Sequence, residues 1–501
     1  MTPTRILFDL VKNLSQAEKL HFRAFAKRRF KNGSVSYLRL FELVDQAEEY
    51  DEEKIAAAVG VAVFPSLKMR LEELILEALQ ERRTRLNPMT RIRSMYEYCI
   101  IAYEMKLLDL MYRRMDKVQR RCLEMEDYAT LRAMMQMKQV IALEGVDPGF
   151  IPPVMKGFYD LYPEVKARLH NLEAYGDMED RILHARSTRP NEMYDLASKL
   201  ATDPLLADDA PRLSVRGTVK YCEVKRTVLR FMNRHSETNA YSIRIVEALE
   251  QAQHLLQDSS LQEYYERHIG NIAVNHVENS EFELAKQAIQ RLRKISTSPV
   301  AIFDRVHIIE LALALQRLDK GEGNRVVASI AEGLKEFGTK VHGERFILLC
   351  FHIAHFYLCF SEPSKALKWI LRIQQFTVAG IRTDLRHYAE ILFLICHFDL
   401  GNYELIPGEA RKTKLYLKKR DSLSEVEDAV VTGLVRAAKV KGTSARLAKL
   451  ETMYQKLETL FEDPRHSIKQ HYFPILSWIR AKGSKRLPME VELENRSKSF
   501  S

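Results

Sequence analysis

Apolar residues recur at i, i+3, i+4 and i+7 through nearly the whole chain, and no stretch sustains a two-residue alternation bounded by turn signals. A strand half-buried in a sheet needs that alternation, so the chain is expected to be all-α. Glycine and proline mostly separate the periodic stretches: Phe64-Pro65, Asp147-Pro148-Gly149, Pro152-Pro153, Gly321-Glu322-Gly323, Glu362-Pro363 and Gly401-Asn402 mark the joints. At 501 residues one hydrophobic core does not suffice, so several units or an elongated array must share the burial.

Residues 1–88 read as an N-terminal helical unit. Ser15 followed by Glu18 is a capping-box signature, opening a helix that would bury Leu20, Phe22, Phe25 and Ala26 in some combination. Further helices are expected over Tyr37–Ala47, Glu52–Val59 and Ser66–Glu81. Residues 89–186 hold long helices rich in Met and Tyr, interrupted by the breaker cluster from Gly145 to Pro153. Residues 187–216 form an irregular junction containing Pro190, Pro204 and Pro211 around one short helix. Residues 217–460 are read as helical repeats, and 461–501 as a C-terminal helix with a basic tail.

The repeats are clearest between Ser260 and Arg420. The segments HVENSEFELAKQAI (His276–Ile289), RLDKGEGNRVVASI (Arg317–Ile330), YLCFSEPSKALKWI (Tyr357–Ile370) and CHFDLGNYELIPGEA (Cys396–Ala410) each place a short polar turn between two apolar helices. With second helices starting at Glu281, Gly323, Pro363 and Asn402, the intervals are 42, 40 and 39 residues. Small residues fall early in those helices, at Ala285, Ala288, Ala328, Ala331 and Ala366, where close helix approach needs them. This pattern resembles the tetratricopeptide-like family, most closely at Gly401–Lys419 with its Gly-x-Tyr turn. The units are longer than the family's usual repeat of about 34 residues. The resemblance implies an α-solenoid of helical hairpins, following the N-terminal unit, that binds a protein partner without catalysis.

Motifs for chemistry are sparse. Gly321-Glu322-Gly323 lacks the preceding strand and the further glycine of a dinucleotide loop, and no G-x-S-x-G or H-E-x-x-H motif occurs. Cys350, His352, His355 and Cys359 lie on one expected helix, with His387 and His397 in the next repeat. Flanked by Phe351, Ile353 and Phe356, they read as packing residues before metal ligands. No metal, no cofactor and no enzymatic activity are expected.

The run EKIAAAVGVAVFPSLKMRLEELILEAL (Glu53–Leu79) has the order of a helix-turn-helix. Its second helix, however, follows Lys68 and Arg70 with Glu72, Glu73, Glu77 and Glu81, carboxylates that phosphates would repel. The six cysteines include no C-x-x-C pair, which suits free thiols in a reducing compartment, and the N-terminus offers no secretory apolar region, so a cytoplasmic address is expected. The most apolar run, Phe346–Phe360, is shorter than the ~20 residues of a membrane span.

Charge is concentrated at one end. Of the formal net charge of +10, the segment Ile406–Ser501 supplies eight, from 20 Lys and Arg against 12 Asp and Glu. Arg411, Lys412, Lys414, Lys418, Lys419 and Arg420 form its densest cluster, and Arg411, Lys414 and Lys418 recur at i, i+3, i+7 on one helix face. Such a cluster serves either as a solvated surface or as a docking site for an acidic segment of a protein partner. A nucleic-acid-binding regulator, using the helix-turn-helix-like segment or this basic end, is the alternative function.

Overall fold

The computed structural model describes residues 5–29, 35–60, 63–143, 153–296, 298–376, 378, 381–484 and 486–499. Among these residues there are twenty-five α-helices, a few short 3-10 turns and no strand. They fall into two compact units, Met1–Lys166 with Gln257–Ser259, and Ala167–Leu256 with Ser260–Ser501. The Gly145-to-Pro153 breaker cluster lies, up to Pro152, outside the described residues.

The first unit holds α1 (Ile6–Asn13), α2 (Gln16–Arg29), α3 (Val35–Gln46), α4 (Glu52–Val59), α5 (Phe64–Leu86), α6 (Pro88–Glu104), α7 (Leu108–Glu124) and α8 (Tyr128–Leu143). The capping box at the start of α2 is present in both directions: Ser15 N–H donates to Glu18 at 2.8 Å, and Glu18 N–H to Ser15 Oγ at 3.3 Å. Phe22 and Ala26 of α2 meet Leu40 and Phe41 of α3 and Leu71, Leu74 and Ile75 of α5 in one apolar core. Leu20 instead stands 64% exposed. Lys19, Phe22 and Ala26 share the inward face at i, i+3, i+7, so it is Lys19 that turns inward, donating to Asp45 at 2.5 Å.

The second unit follows as α9 (Pro153–Thr188), whose first residues belong to the first unit, then α10 (Met193–Ala201), α11 (Val215–Phe231), α12 (His235–Gln251), α13 (Ser259–Glu278) and α14 (Phe282–Ile295). The middle of the unit comprises α15 (Pro299–Gln316), α16 (Lys320–Phe337), α17 (Gly343–Cys359), α18 (Pro363–Gln374), α19 (Thr383–Asp399), α20 (Ile406–Lys418), α21 (Glu425–Lys439) and α22 (Thr443–Phe461). The remainder is α23 (Pro464–Ser467), α24 (Ile475–Ser484) and α25 (Pro488–Ser499). Helices pack in consecutive pairs: α11 on α12, α15 on α16, α17 on α18, α19 on α20 and α21 on α22. The first helices of the later pairs also touch in turn, α15 on α17, α17 on α19 and α19 on α21.

One turn recurs at these joints. Lys106, Glu126, Asn233, Ser280, Leu318, Ser361, Gly401 and Asp421 all take a left-handed conformation, with φ between 51° and 77°. The amide that follows reaches back five residues, Glu281 to the His276 carbonyl and Asp319 to that of Ala314, each at 2.8 Å, and Asn402 to that of His397 at 3.0 Å. This satisfies carbonyls that the helix end would otherwise strand. Only Gly401 adopts the conformation without the roughly 1–2 kcal/mol that a side chain costs there. The second helices begin at Pro363 as expected and at Phe282, one residue after the expected Glu281, but at Lys320 and Ile406 in place of Gly323 and Asn402. Asp319 accepts the Glu322 amide and so caps α16 early, while Asn402 and Tyr403 remain in the turn.

Close approach of helices rests on small residues, though not always the expected ones. Ala285 and Ala366 are fully buried, whereas Ala328 faces solvent. In α16 the contact residues are Gly323 and Gly333, where an added Cβ would overlap the rings of Phe356 on α17 and Phe303 on α15. Gly433 of α21 meets Met453 of α22 in the same way.

The C-terminal segment packs across the row of first helices. Tyr472 stacks on Tyr388 at 5.0 Å and lies edge-on to Phe351, Phe473 meets His355 edge-on, and Trp478 meets Phe398 at 6.0 Å. The Trp478 indole donates to Asp399 at 3.0 Å, and Lys482 pairs with the same carboxylate at 2.7 Å. Helix α25 packs on α15 and α17, and Phe473 and Trp478 are completely buried.

Three substitutions check this packing. Gly323→Ala should cost about 1–3 kcal/mol in urea unfolding by forcing Phe356 aside, while Ala328→Phe, on the solvent side of the same helix, should be close to neutral. Trp478→Phe keeps an aromatic ring but withdraws the donor from buried Asp399 and should cost about 1–3 kcal/mol; no loss of stability would mean that the Asp399 contact does not anchor the segment.

Candidate functional site

The buried face of α20 is set by Ile406, Ala410, Thr413 and Leu417, spaced i, i+4, i+7, i+11. That fixes where the basic cluster points. Arg411, Lys412, Lys418, Lys419 and Arg420 are exposed, but Lys414 is half-buried and turned toward α21, donating to Asp428 at 2.5 Å and to Thr432 at 2.9 Å. The i, i+3, i+7 face expected from the sequence is therefore divided. Arg411 and Lys418 remain on the open side together with Leu415, which is 55% exposed.

Within the open group Lys412 pairs with Glu409 at 2.7 Å, both on α20, and the Arg420 guanidinium sits 3.9 Å above the Tyr416 ring. Such exposed pairs hold their partners by about 0–1 kcal/mol each, so the cations remain available to an incoming carboxylate. Leu415 is the residue that charge counting missed: a leucine ringed by cations suits a partner with both acidic and apolar side chains. Its signal in the sequence was the apolar residue standing out of step with Ala410, Thr413 and Leu417.

The helix-turn-helix-like segment corresponds to α4 and α5. Lys68 donates to Glu52 at 3.0 Å and to the Tyr50 hydroxyl at 3.2 Å, and the Glu52 carboxyl is lowered mainly by these partners, against the opposing effect of desolvation. Arg70 pairs with Glu73 at 2.7 Å and lies 3.6 Å from Glu77. Arg28 reaches Glu81 at 3.0 Å, and Arg29 pairs with Glu77. The two cations at the start of α5 are thus engaged by carboxylates of the same unit, as are the two from α2.

Cys350, His352, His355 and Cys359 all lie on α17. Burial pushes the Cys350 thiol up to about 12 and Cys359 higher still, so both stay protonated, and burial lowers His352 to about 3 and His355 to about 4, so both stay neutral. Cys359 Sγ lies 3.5 Å from His355 Nε2. His397 contacts Asn402 at 3.0 Å and His387 meets the Tyr416 ring, so neither joins the α17 group through these contacts. Among the described residues no group of three or more His, Cys, Asp or Glu is arranged to hold a metal ion. Among the same residues no helix is long and apolar enough to cross a membrane.

No family model, curated protein or solved structure matches the chain.

Proposed function

We propose that the chain is a non-catalytic adaptor, a tetratricopeptide-like solenoid that holds a protein partner, and that an acidic segment of the partner docks on α20. The observation that carries this reading is the row α15, α17, α19 and α21, each first helix touching the next, with the second helices after α15, α17 and α19 returned by the same left-handed turn. A row of this kind offers grooves between parallel first helices in which anchor side chains of a helix or extended peptide can sit. Tyr472, Phe473 and Trp478 are seated in this manner on α17 and α19. In this reading the partner takes the face left open, where Arg411, Leu415, Lys418 and Lys419 stand exposed.

The test is capture of the full chain's partner from its own cell extract, with and without nuclease, followed by binding kinetics with the purified partner. A protein retained after nuclease supports the adaptor. Loss of all capture on nuclease treatment, together with steep salt dependence of oligonucleotide binding, supports the nucleic-acid alternative. Reversing Arg411, Lys418 and Lys419 to Glu should slow association several-fold at low salt and leave the thermal midpoint nearly unchanged, because charge at the rim of an interface acts mainly on the approach. An unaltered rate would reduce the cluster to a solvated surface.

A further inference from the structure

The first unit carries an apolar face that is left uncovered. On α6, Ser94, Tyr98, Ile101 and Met105 recur at i, i+4, i+7 and i+11, and Leu107 and Leu110 continue the face across the turn and onto α7. The five apolar residues are each between 44% and 63% exposed, while Cys99, Ala102, Met111 and Met115 supply the core side of the same two helices. Helices α6 and α7 pack along each other, and the Arg114 guanidinium sits 5.9 Å from the centre of the Tyr98 ring, so the two stripes adjoin. Single exposed apolar residues are ordinary; five together on two packed helices form a surface of the kind that another molecule covers.

The hairpin is closed at its tip. Lys106 reverses the chain at φ 61°, and the Leu107 amide donates to the Ala102 carbonyl at 2.9 Å. Met105 and Leu107 are held there on the outside, away from the core.

The charges around the face decide what covers it. Next to the tip stand Glu104, Lys106 and Asp109; about two to three turns back stand Glu97, Arg113, Arg114 and Lys117, all exposed. Arg120 and Arg121 are neutralised within α7, pairing with Asp116 and Glu124 at 2.7 Å each. Among the described residues the side chains of Glu104, Asp109, Arg113 and Lys117 make no hydrogen bond and no ion pair, although Asp109 and Arg113 lie at i, i+4, where such a pair can form. A partner of one sign, be it an acidic peptide, an anionic bilayer or a nucleic acid, would meet Glu104 and Asp109 together with the arginines. A surface that carries both signs in this order is complementary to itself after a half-turn.

We propose that this face joins two copies of the chain in a symmetric dimer, α6 against α6 and α7 against α7, antiparallel about an axis at Ile101. At about 1.5 Å of rise per residue, the half-turn sets Ile101 on Ile101. By the same rise, and to about one residue, Met105 comes beside Tyr98, Asp109 beside Arg113 and Lys106 beside Glu97 of the second copy. Apolar contacts then fill the centre and opposite charges the rim. Five apolar residues a side are few against the roughly 20–30 residues a side of a stable interface, so the dimer exchanges with monomer. The face involves neither α20 nor the adaptor reading, and it stands if that reading fails.

The experiment is sedimentation equilibrium of the full chain over a range of concentrations. The parent chain should pass from monomer to dimer as concentration rises, and Ile101→Asp should weaken the dimer at least tenfold by burying a carboxylate at its centre. Asp109→Arg alone and Arg113→Asp alone should each weaken it several-fold, because like charges then face each other. An equimolar mixture of these two variants should associate more tightly than either by itself, since each presents the charge the other lacks; a loss of folding could not produce that rescue. Lys418→Glu on α20 should change nothing. The proposal is overturned if the parent chain stays monomeric at submillimolar concentration, if its dimer is indifferent to Ile101→Asp, or if the mixture associates no better than its components. It is overturned as well if a monomeric chain pellets with phosphatidylserine vesicles and Ile101→Asp abolishes that, in which case the face belongs to a membrane surface.

Discussion

The architecture of the second unit depends on reversing the chain within a few residues while leaving no helix carbonyl stranded. The left-handed residue does both: it turns the backbone out of the first helix and lets the following amide bond a carbonyl five residues back, as at Ser280, Leu318, Ser361 and Gly401. A longer connection would allow the second helix to swing. With the reversal fixed, Gly323 can come under Phe356 and Gly333 under Phe303, and the helices approach closely there. That serine, leucine, glutamate and lysine occupy this conformation shows tertiary packing overriding local preference, since a glycine would adopt it more easily.

Ionisable groups are treated in two ways. On α17 the thiols and imidazoles are packed as neutral groups among aromatic rings, where burial suppresses their reactivity and their basicity together. Around Glu223 and Asp384 the carboxylates stay charged because cations pair with them, Arg226 and Arg267 beside the first and Arg382 on the second, and Glu266 pairs with Arg305.

The helical class and the pairing of helices were legible because they depend on periodicity and punctuation. Glu281 and Pro363 mark helix starts directly, one as the residue before the helix and the other as its first residue. Small residues were legible only as a type: alanine suggested itself at position 328, while the glycines at 323 and 333 do the packing, and a sequence gives no angle from which to choose between them. Lys19 and Leu20 show the same limit, since polarity alone assigns the inward place to the leucine. The basic cluster on α20 could be read because it is contiguous; that Lys414 leaves it for Asp428 depends on α21 and could not.

Pairs of helices that touch only their neighbours fold locally and can be lost one at a time from either end. The strap of residues 472–499 changes that here. By joining α15, α17 and α19 through Tyr472, Phe473, Trp478 and α25, it introduces contacts that close loops from 80 residues (Phe398 to Trp478) to more than 170 (α15 to α25), slow to form and late in the order of events. During synthesis at about 5–20 residues per second, Phe351, Tyr388 and Phe398 remain uncovered for several seconds after they are made, until the strap has been made. Once it closes, these three pairs unfold together or not at all, and an array of separable parts behaves as one cooperative block.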